Sequence, residues 1–450
     1  MERITQLRRL GLFDARVPRY TSYPTANHFA PSVGPREMGQ WIMSIAPDSQ
    51  ISLYLHIPFC RRLCWFCACR TQGTASAKPL AGYLETLKRE LRMVSDKLPQ
   101  GVSLGRLHWG GGTPTLLAPD MIRDLAGAVT AAIPFAEGAE FSVEIDPNEI
   151  DAARLDALAE MGMNRASIGV QDFDDLIQKT IGRPQSFDIT KEAVDMLRDR
   201  GIRSLNIDLL YGLPHQTDAR IADSVQKVLS LSPDRVALYG YAHVPWMARR
   251  QSLIPTEALP APEARLGLYD TARELFLWDG YAEIGIDHFA RPGDGLEVAA
   301  REGRLRRNFQ GYTDDQFPVL LGLGASAISR FPGGYAQNAA ATSKYQEAIQ
   351  AGRLATVRGH VFSDEDILRS AIIEDLMCAF AVDYAAVAAR TGREPREVAE
   401  RLKGVEAAFP GMLGHSADGL TIRPEAHELA RMIARYVDAY AASDGHSSAI

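Results

Sequence analysis

Seven short stretches are rich in β-branched and aromatic residues and bounded mostly by Gly, Pro, Asp or Asn, which predicts strands. They are ISLYLHI (51–57), RLHW (106–109), EFSVEI (140–145), RASIGV (165–170), RSLNIDL (203–209), RVALYGY (235–241) and YAEIGI (281–286). Helical spacing takes over between them, as in 150–162, where Leu155, Leu158 and Met161 share a face. This alternation predicts parallel strands joined by crossover helices, hence an α/β fold built as a full or partial barrel or an open sheet. Residues 1–50 show little periodicity and carry RYTSYPTA (19–26), which predicts an extended or turn-rich arm. Beyond about residue 360 the pattern becomes helical and alanine-rich, as in DYAAVAARTGREPREVAERLKG, which predicts a small C-terminal domain. The last residues, SDGHSSAI, are expected to be disordered.

Period two also sorts the strand side chains onto opposite faces. In FSVEIDP, Phe141, Val143 and Ile145 oppose Ser142, Glu144 and Asp146. Ile168 and Val170 oppose Gly169 and Gln171, and Leu205, Ile207 and Leu209 oppose Asn206 and Asp208. Glu144, Gln171 and Asp208 thus share the polar face near their strand ends, where parallel α/β folds bind ligands. One such residue alone often caps a helix or satisfies a turn amide. Agreement across three strands favours a small polar ligand.

Composition narrows the function classes. The 450 residues are 46% hydrophobic and 23% charged, enough for a large core and for two or three domains or one α/β domain with appendages. A net charge of −7 argues against a general nucleic-acid or anionic-membrane binder. The longest apolar run, LAGAVTAAIPFA (125–136), is too short to span a bilayer, and MERITQLRRLGLFDARVPRY lacks the apolar core of a secretory signal. With few, clustered cysteines, these features predict a cytoplasmic protein in a reducing compartment.

Four of the five cysteines lie in CRRLCWFCAC (60–69). Cys60, Cys64 and Cys67 form CxxxCxxC just past the first strand, and Cys69 follows. Thiolates so spaced bind soft metals and iron–sulfur clusters. Zinc sites use two separated ligand pairs, and there is no second pair here. A redox CxxC at Cys64–Cys67 fits poorly, because such a pair normally opens a helix. Cys378, in IIEDLMCAF, reads as a core residue. Three thiolates on a four-iron cluster leave one iron free for a substrate or cofactor, and Leu63, Trp65 and Phe66 would shield the cluster from water.

CxxxCxxC with an aromatic before its third cysteine, followed by HWGGGTPT (108–115), resembles the radical S-adenosylmethionine (SAM) enzymes. That resemblance implies a partial or complete β/α barrel, a [4Fe-4S] cluster held by Cys60, Cys64 and Cys67, and SAM on the open iron. The segments RYTSYPTA, LYLHIPFCRRLCWFCAC, LHWGGGTPT, VEIDP, SIGVQDF, NIDLLYGLP, YAHVP, DHFARP, RNFQGYT and GASAIS resemble the oxygen-independent coproporphyrinogen III oxidases over nearly the whole chain. The family pattern implies two SAM molecules. Tyr54, Gly111, Glu144, Ala242 and Ile328 would contact the one on the cluster, and Phe66, Gly112, Thr113, Gln171, Arg183 and Asp208 the second. Glu144, Gln171 and Asp208 are the residues that strand parity selects independently. Cys69 would be left free for a catalytic role beside the substrate.

The implied reaction is oxidative decarboxylation of two propionates of coproporphyrinogen III to vinyl groups in haem biosynthesis, with an unidentified electron donor and a monomeric enzyme. Such a substrate carries four carboxylates, for which Arg19, Arg249, Arg250, Arg291, Arg306 and Arg307 are the candidate partners. The expected division is an arm or lid over 1–50, the barrel over 51–290, a barrel-completing, substrate-side segment over 291–360 and a mostly helical domain over 361–450. The GGYAQNAAATSKY segment and the C-terminal third match the family less tightly. Three rivals stand beside this reading: a haem-binding or trafficking relative without decarboxylase activity, a zinc-stabilised interaction protein, and another radical SAM enzyme acting on tetrapyrroles.

Overall fold

Six of the seven predicted strands form and lie side by side in chain order, all parallel. They are β1 (Gln50–Ile57), β2 (Ser103–Gly111), β3 (Phe135–Ile145), β4 (Arg165–Gln171), β5 (Ser204–Tyr211) and β6 (Arg235–Gly240). The computed structural model that shows them describes residues 2–440 and 448–450. Crossover helices include Lys78–Ser95, Pro119–Ala132, Ala152–Glu160, Phe187–Asp199 and Asp218–Ser230. The segment 281–286 departs from expectation. Only β7 (Ala282–Ile284) is a strand, and it turns back at Gly285 (φ 58°) into β8 (His288–Ala290), which pairs antiparallel with β6. A side chain at position 285 would run into the Tyr312 ring, so the turn requires glycine.

Four strands on the far side of β1 were not read from the sequence: β9 (Leu320–Leu323), β10 (Ile328–Phe331), β11 (Gly334–Asn338) and β12 (Thr356–Val361). β9 is parallel to β1 and the other three follow as an antiparallel meander. The sheet thus runs β12-β11-β10-β9-β1-β2-β3-β4-β5-β6-β8-β7, a partial barrel whose edges are β12 and β7.

The barrel's two faces follow the period-two pattern. Leu53, Leu107, Trp109, Phe141, Val143, Ile168, Ile207 and Leu238 point outward into the core beneath the helices. The alternate positions, among them Arg106, His108, Glu140, Glu144, Arg165, Asn206, Asp208 and Tyr239, share the inner face. At the amino ends these inner charges close on one another. Arg106 meets Glu140 at 3.3 Å and Asp314 at 2.8 Å, Arg165 meets Glu140 at 3.2 Å, and Arg235 meets Asp294 at 2.5 Å. The interior is polar throughout, and its lower end is filled by paired charge.

Residues 1–50 are not simply extended: helices form at Glu2–Arg9 and Pro35–Met43, while 19–25 has neither helix nor strand and leads into a 3₁₀ turn at Ala26–His28. Leu7, Leu12, Phe13, Val17, Tyr20 and Tyr23 pack with Leu376, Ile433 and Val437 in a second core shared by the N-terminal segment and the C-terminal domain. That domain contains the expected helices, including Asp364–Cys378, Tyr384–Thr391 and Pro395–Leu402. It also holds a three-stranded antiparallel sheet of Ala381–Asp383, Gly419–Ile422 and Leu413–His415. Of the tail expected to be disordered, 443–447 lie outside the described residues. Ser448 instead bridges to Arg16, and Ala449 and Ile450 are buried. Among the described residues no helix is long and apolar enough to cross a membrane.

Candidate functional site

The cysteine loop springs from the carboxyl end of β1 and is fastened at its base. Phe59–Cys60 pairs with Gln72–Gly73, the Gln72 amide donates to Pro58 O at 2.7 Å, and the Thr74 amide donates to Cys60 O at 3.0 Å. Its middle is pinned from β4's side of the barrel by the Trp65 amide on Ile181 O at 2.9 Å. Cys64 is buried, Cys60 and Cys67 are partly exposed, and Cys69 is open to solvent. Burial pushes the Cys60 thiol up to about 11, so it gives up its proton only when a metal takes the sulfur. Cys67 is drawn down by a hydrogen bond from the neighbouring Cys69 thiol, which is itself raised. No three His, Cys, Asp or Glu among the described residues converge as a single metal ion would require. Three thiols spread over one fastened loop suit a polynuclear cluster, each iron taking one sulfur, and fit zinc poorly.

The glycine run packs against this loop. The Gly112 amide donates to Ile57 O at 2.9 Å and the Thr113 amide to Phe59 O at 2.7 Å. The neighbours of these glycines explain the run. A Cβ would strike Glu144 from Gly110, His56 from Gly111, where φ is 113°, and Phe59 O from Gly112. Glycine is thus demanded by the wall of the site itself.

Glu144 stands at the end of β3 with one oxygen accepting from the Gly111 amide at 3.0 Å and the other 3.3 Å from His108 Nε2. Burial alone would raise its pKa, yet the bonds from His108 and Gly111, with His56 nearby, hold it below the usual carboxylate value. Tyr54 stacks on His108 and bonds His56 Nδ1 at 2.9 Å. Sequence reasoning missed His56 and His108, although His108 shares the inner face and lies in the HWGGG motif already singled out.

Across the barrel, Gln171 ends β4 beyond a bulge with φ 74°, a left-handed conformation that costs about 1 kcal/mol or more in a residue other than glycine. Arg183 is threaded between the two halves of the site. It donates to Gly169 O at 2.8 Å, lies 3.3 Å from Asp146, approaches the Cys64 sulfur at 3.5 Å, and leaves its buried Nε without a partner. Asp208 accepts from Asn206 at 2.8 Å and is pushed up to about 7 by burial, with Glu144 adding to the rise. Phe66 and Ala242 are joined by a residue no pattern marks. The fully buried Gln251 donates to Phe66 O at 2.7 Å and Ala242 O at 3.0 Å. Ile328 opens β10, one strand beyond β9, and its carbonyl excludes any side chain at Gly322.

The candidate arginines scatter. Arg250 donates to Cys69 O and Thr71 and so braces the cysteine loop. Arg291 lies at the amino-terminal side, on Tyr281, Arg306 is paired with Glu374, and Arg249 is exposed. Arg19 and Arg307 meet above β6, with Arg307 Nε donating to Arg19 O at 3.2 Å. Cys378 ends a helix in the satellite core, as its sequence suggests.

The radical SAM superfamily model matches residues 54–228, the span from β1 to beyond β5 that carries the cysteine loop, the glycine run, Glu144, Gln171, Arg183 and Asp208. The oxygen-independent coproporphyrinogen III oxidase of Paracoccus denitrificans is 64% identical over 100% of both chains. That of Pseudomonas aeruginosa is 38% identical over 95% of this chain and 94% of its own. The solved structure of coproporphyrinogen III oxidase from Escherichia coli, a radical SAM enzyme, superimposes with a TM-score of 0.90 at 35% identity, over 95% of this chain and 100% of that one. With full-length identity of this order, the chain belongs to the oxygen-independent coproporphyrinogen III oxidases of the radical SAM superfamily.

Proposed function

We propose that this enzyme converts two propionates of coproporphyrinogen III to vinyl groups, giving protoporphyrinogen IX and two molecules of CO₂, without oxygen. The observation that carries the reading is the hook of Glu144 on Gly111 beside the fastened loop of Cys60, Cys64 and Cys67, in a chain whose full-length relatives bear that activity. Cys60, Cys64 and Cys67 would hold a [4Fe-4S] cluster. When bound, cluster and SAM would supply a 5′-deoxyadenosyl radical that takes a hydrogen atom from the carbon β to the carboxylate, after which the substrate loses CO₂ and passes one electron to an acceptor.

The protein's own contribution is placement. Glu144, kept ionised by His108 and Gly111, suits the ammonium of SAM, and Tyr54, Ala242 and Ile328 complete that subsite. A second SAM would lie against Phe66, Gly112, Thr113, Gln171, Arg183 and Asp208. Arg183 faces both subsites and would neutralise negative charge next to Cys64. Cys69, open beside the loop, is available to give a hydrogen atom or proton near the substrate. Residues 1–50 cover the mouth and exclude water from the radical. We place the enzyme in the cytoplasm as a monomer served by a separate one-electron donor.

The test is anaerobic incubation of the reconstituted protein with SAM, dithionite and coproporphyrinogen III, followed by mass analysis of the tetrapyrrole. Loss of two carboxyl groups is expected. Cleavage of SAM with an unaltered tetrapyrrole would defeat the proposal.

A further inference from the structure

A cavity of about 290 Å³ opens between the carboxyl ends of β5 and β6, the β7–β8 hairpin and the C-terminal domain. Its lining includes Arg19, Tyr211, Gly240, Asp287, Arg307 and Arg431. Toward its outer wall charge is balanced, since Arg3 pairs with Asp270 and Glu428, and Arg273 with Glu283. Its inner end is different. Arg19 donates to Gly240 O at 2.6 Å and, among the described residues, has no carboxylate within ion-pair distance, Asp287 feeling its charge only from farther off. Arg431 spends its donors on the carbonyls of Val17, Pro18, Ser448 and Ala449. Arg307, with only 3% of its side chain exposed, reaches Asp287 at 3.5 Å and leaves Nη1 with no partner.

Among the described residues, Asp287 is thus the only carboxylate within ion-pair distance of any of these three guanidiniums, and it also takes a bond from His288 at 2.7 Å. Burial and the neighbouring Arg19 and Arg307 bring Arg431 down to about 9, the mark of unrelieved positive charge. A buried cation without a counter-charge is costly, and an anion that enters the cavity removes the cost. Tyr211 lies three residues beyond Asp208 on β5, on the order of 10 Å at strand rise, within the span of one tetrapyrrole.

We propose that Arg19 and Arg307 bind the carboxylate of a propionate that does not react, anchoring the macrocycle while another propionate lies at the radical. The inference rests on the coproporphyrinogen reading above. Arg307 presents the free Nη1, and Arg19 supplies the second charge from across the cavity. The ligand is an alkyl carboxylate on a flat apolar ring, and the exposed source that competes with it is a free inorganic anion.

The test uses oxidised porphyrins, which bind without turnover, titrated anaerobically against the holoenzyme and its Arg307→Gln, Arg307→Lys and Arg19→Gln variants. Coproporphyrin III carries all four propionates, mesoporphyrin IX only the two that are never decarboxylated, and coproporphyrin tetramethyl ester no charge. Both Gln variants should weaken the first two ligands by roughly tenfold or more, the scale of one charged hydrogen bond, and leave the ester unchanged. Arg307→Lys should restore part of the loss. Ligand-free Arg19→Gln gives up the bond to Gly240 O, so its melting point is recorded beside its affinity, and an equal loss for the charged porphyrins and the ester would mark a merely structural effect.

Unchanged affinity for coproporphyrin would overturn the proposal. So would an equal loss for the ester, or a loss confined to coproporphyrin, which would assign the cavity to a reacting arm. Inorganic phosphate that stabilises the enzyme without competing with coproporphyrin would assign it to a free anion instead. If wild-type enzyme binds coproporphyrin yet releases no CO₂ from the porphyrinogen, the underlying reading fails while the anchor stands.

Discussion

The two ends of the same polar barrel interior are built to opposite rules. At the amino ends, Arg106, Arg165 and Arg235 each meet carboxylates; Glu140 and Asp314 each serve two of them, and Asp294 serves Arg235. At the carboxyl ends, Arg183, Arg250, Arg265 and Arg307 all retain a buried N–H without a partner. The lower end has completed its bonding and acts as a plug. The upper end keeps bonding capacity in reserve, which is sensible only where other molecules complete it. One fold, threaded by six strands that touch both ends, thus separates stability from chemistry along its axis.

The largest effect that sharpens this contrast is Cys64→Ala. It should abolish the iron–sulfur absorbance and SAM cleavage while leaving the circular dichroism spectrum unchanged; a substantially cleaving variant would dissociate the loop from the chemistry. Next, Arg235→Met strands Asp294 in the plug and should cost about 3 kcal/mol or more in denaturant unfolding. Its turnover per folded molecule should remain near wild type, and a selective loss of kcat would break the division of labour. Glu144→Gln should do the reverse, raising the KM for SAM by roughly tenfold to hundredfold through loss of a charged acceptor. A drop in melting temperature as large as that of Arg235→Met would make Glu144 one more brace.

The smallest effect is in pH dependence. Asp208 has a folded value of about 7 against an ordinary 3.8, so between those limits the native state holds the extra proton and stability falls as pH rises. Glu140 is the opposite case. Burial would raise it, but Arg165, Arg106 and Arg235 prevail and lower it, so its contribution is present above the ordinary carboxylate range and lost as pH falls through the lowered value. Asp208→Asn should flatten the melting curve between about pH 4 and 7, and Glu140→Gln the acid limb below it. Exchange of these two signatures would contradict the assignment of the ends.

Legibility in the sequence follows the same axis. Long parallel strands with helices on one side leave a strong period-two trace, so β1–β6 and the inward turn of Glu144 and Asp208 could be read from parity. Parity assigns Gln171 to the polar face, but the bulge that sets it opposite Leu209 and the left-handed φ that turns it have no sequence signal. β9–β12 are four to six residues long, and three of them mix Gly with apolar residues, which leaves little alternation to register. The three strands of the C-terminal domain fail for the same reason. Gln251 lies in a short 3₁₀ turn, Arg249–Leu253, and its role exists only because the chain folds back onto Phe66 and Ala242. Likewise the three-arginine pocket joins residues 19, 307 and 431, which no local pattern could connect.

The short ladder between Phe59–Cys60 and Gln72–Gly73 carries a last implication. Because the ends of the thiol-bearing segment are already tied, metallation need order only the dozen or so residues between them rather than fold a domain. Maturation can then occur after translation on an otherwise finished protein. Loss of iron under oxidative stress would leave a recoverable scaffold, ready to be reloaded, instead of a chain destined for proteolysis.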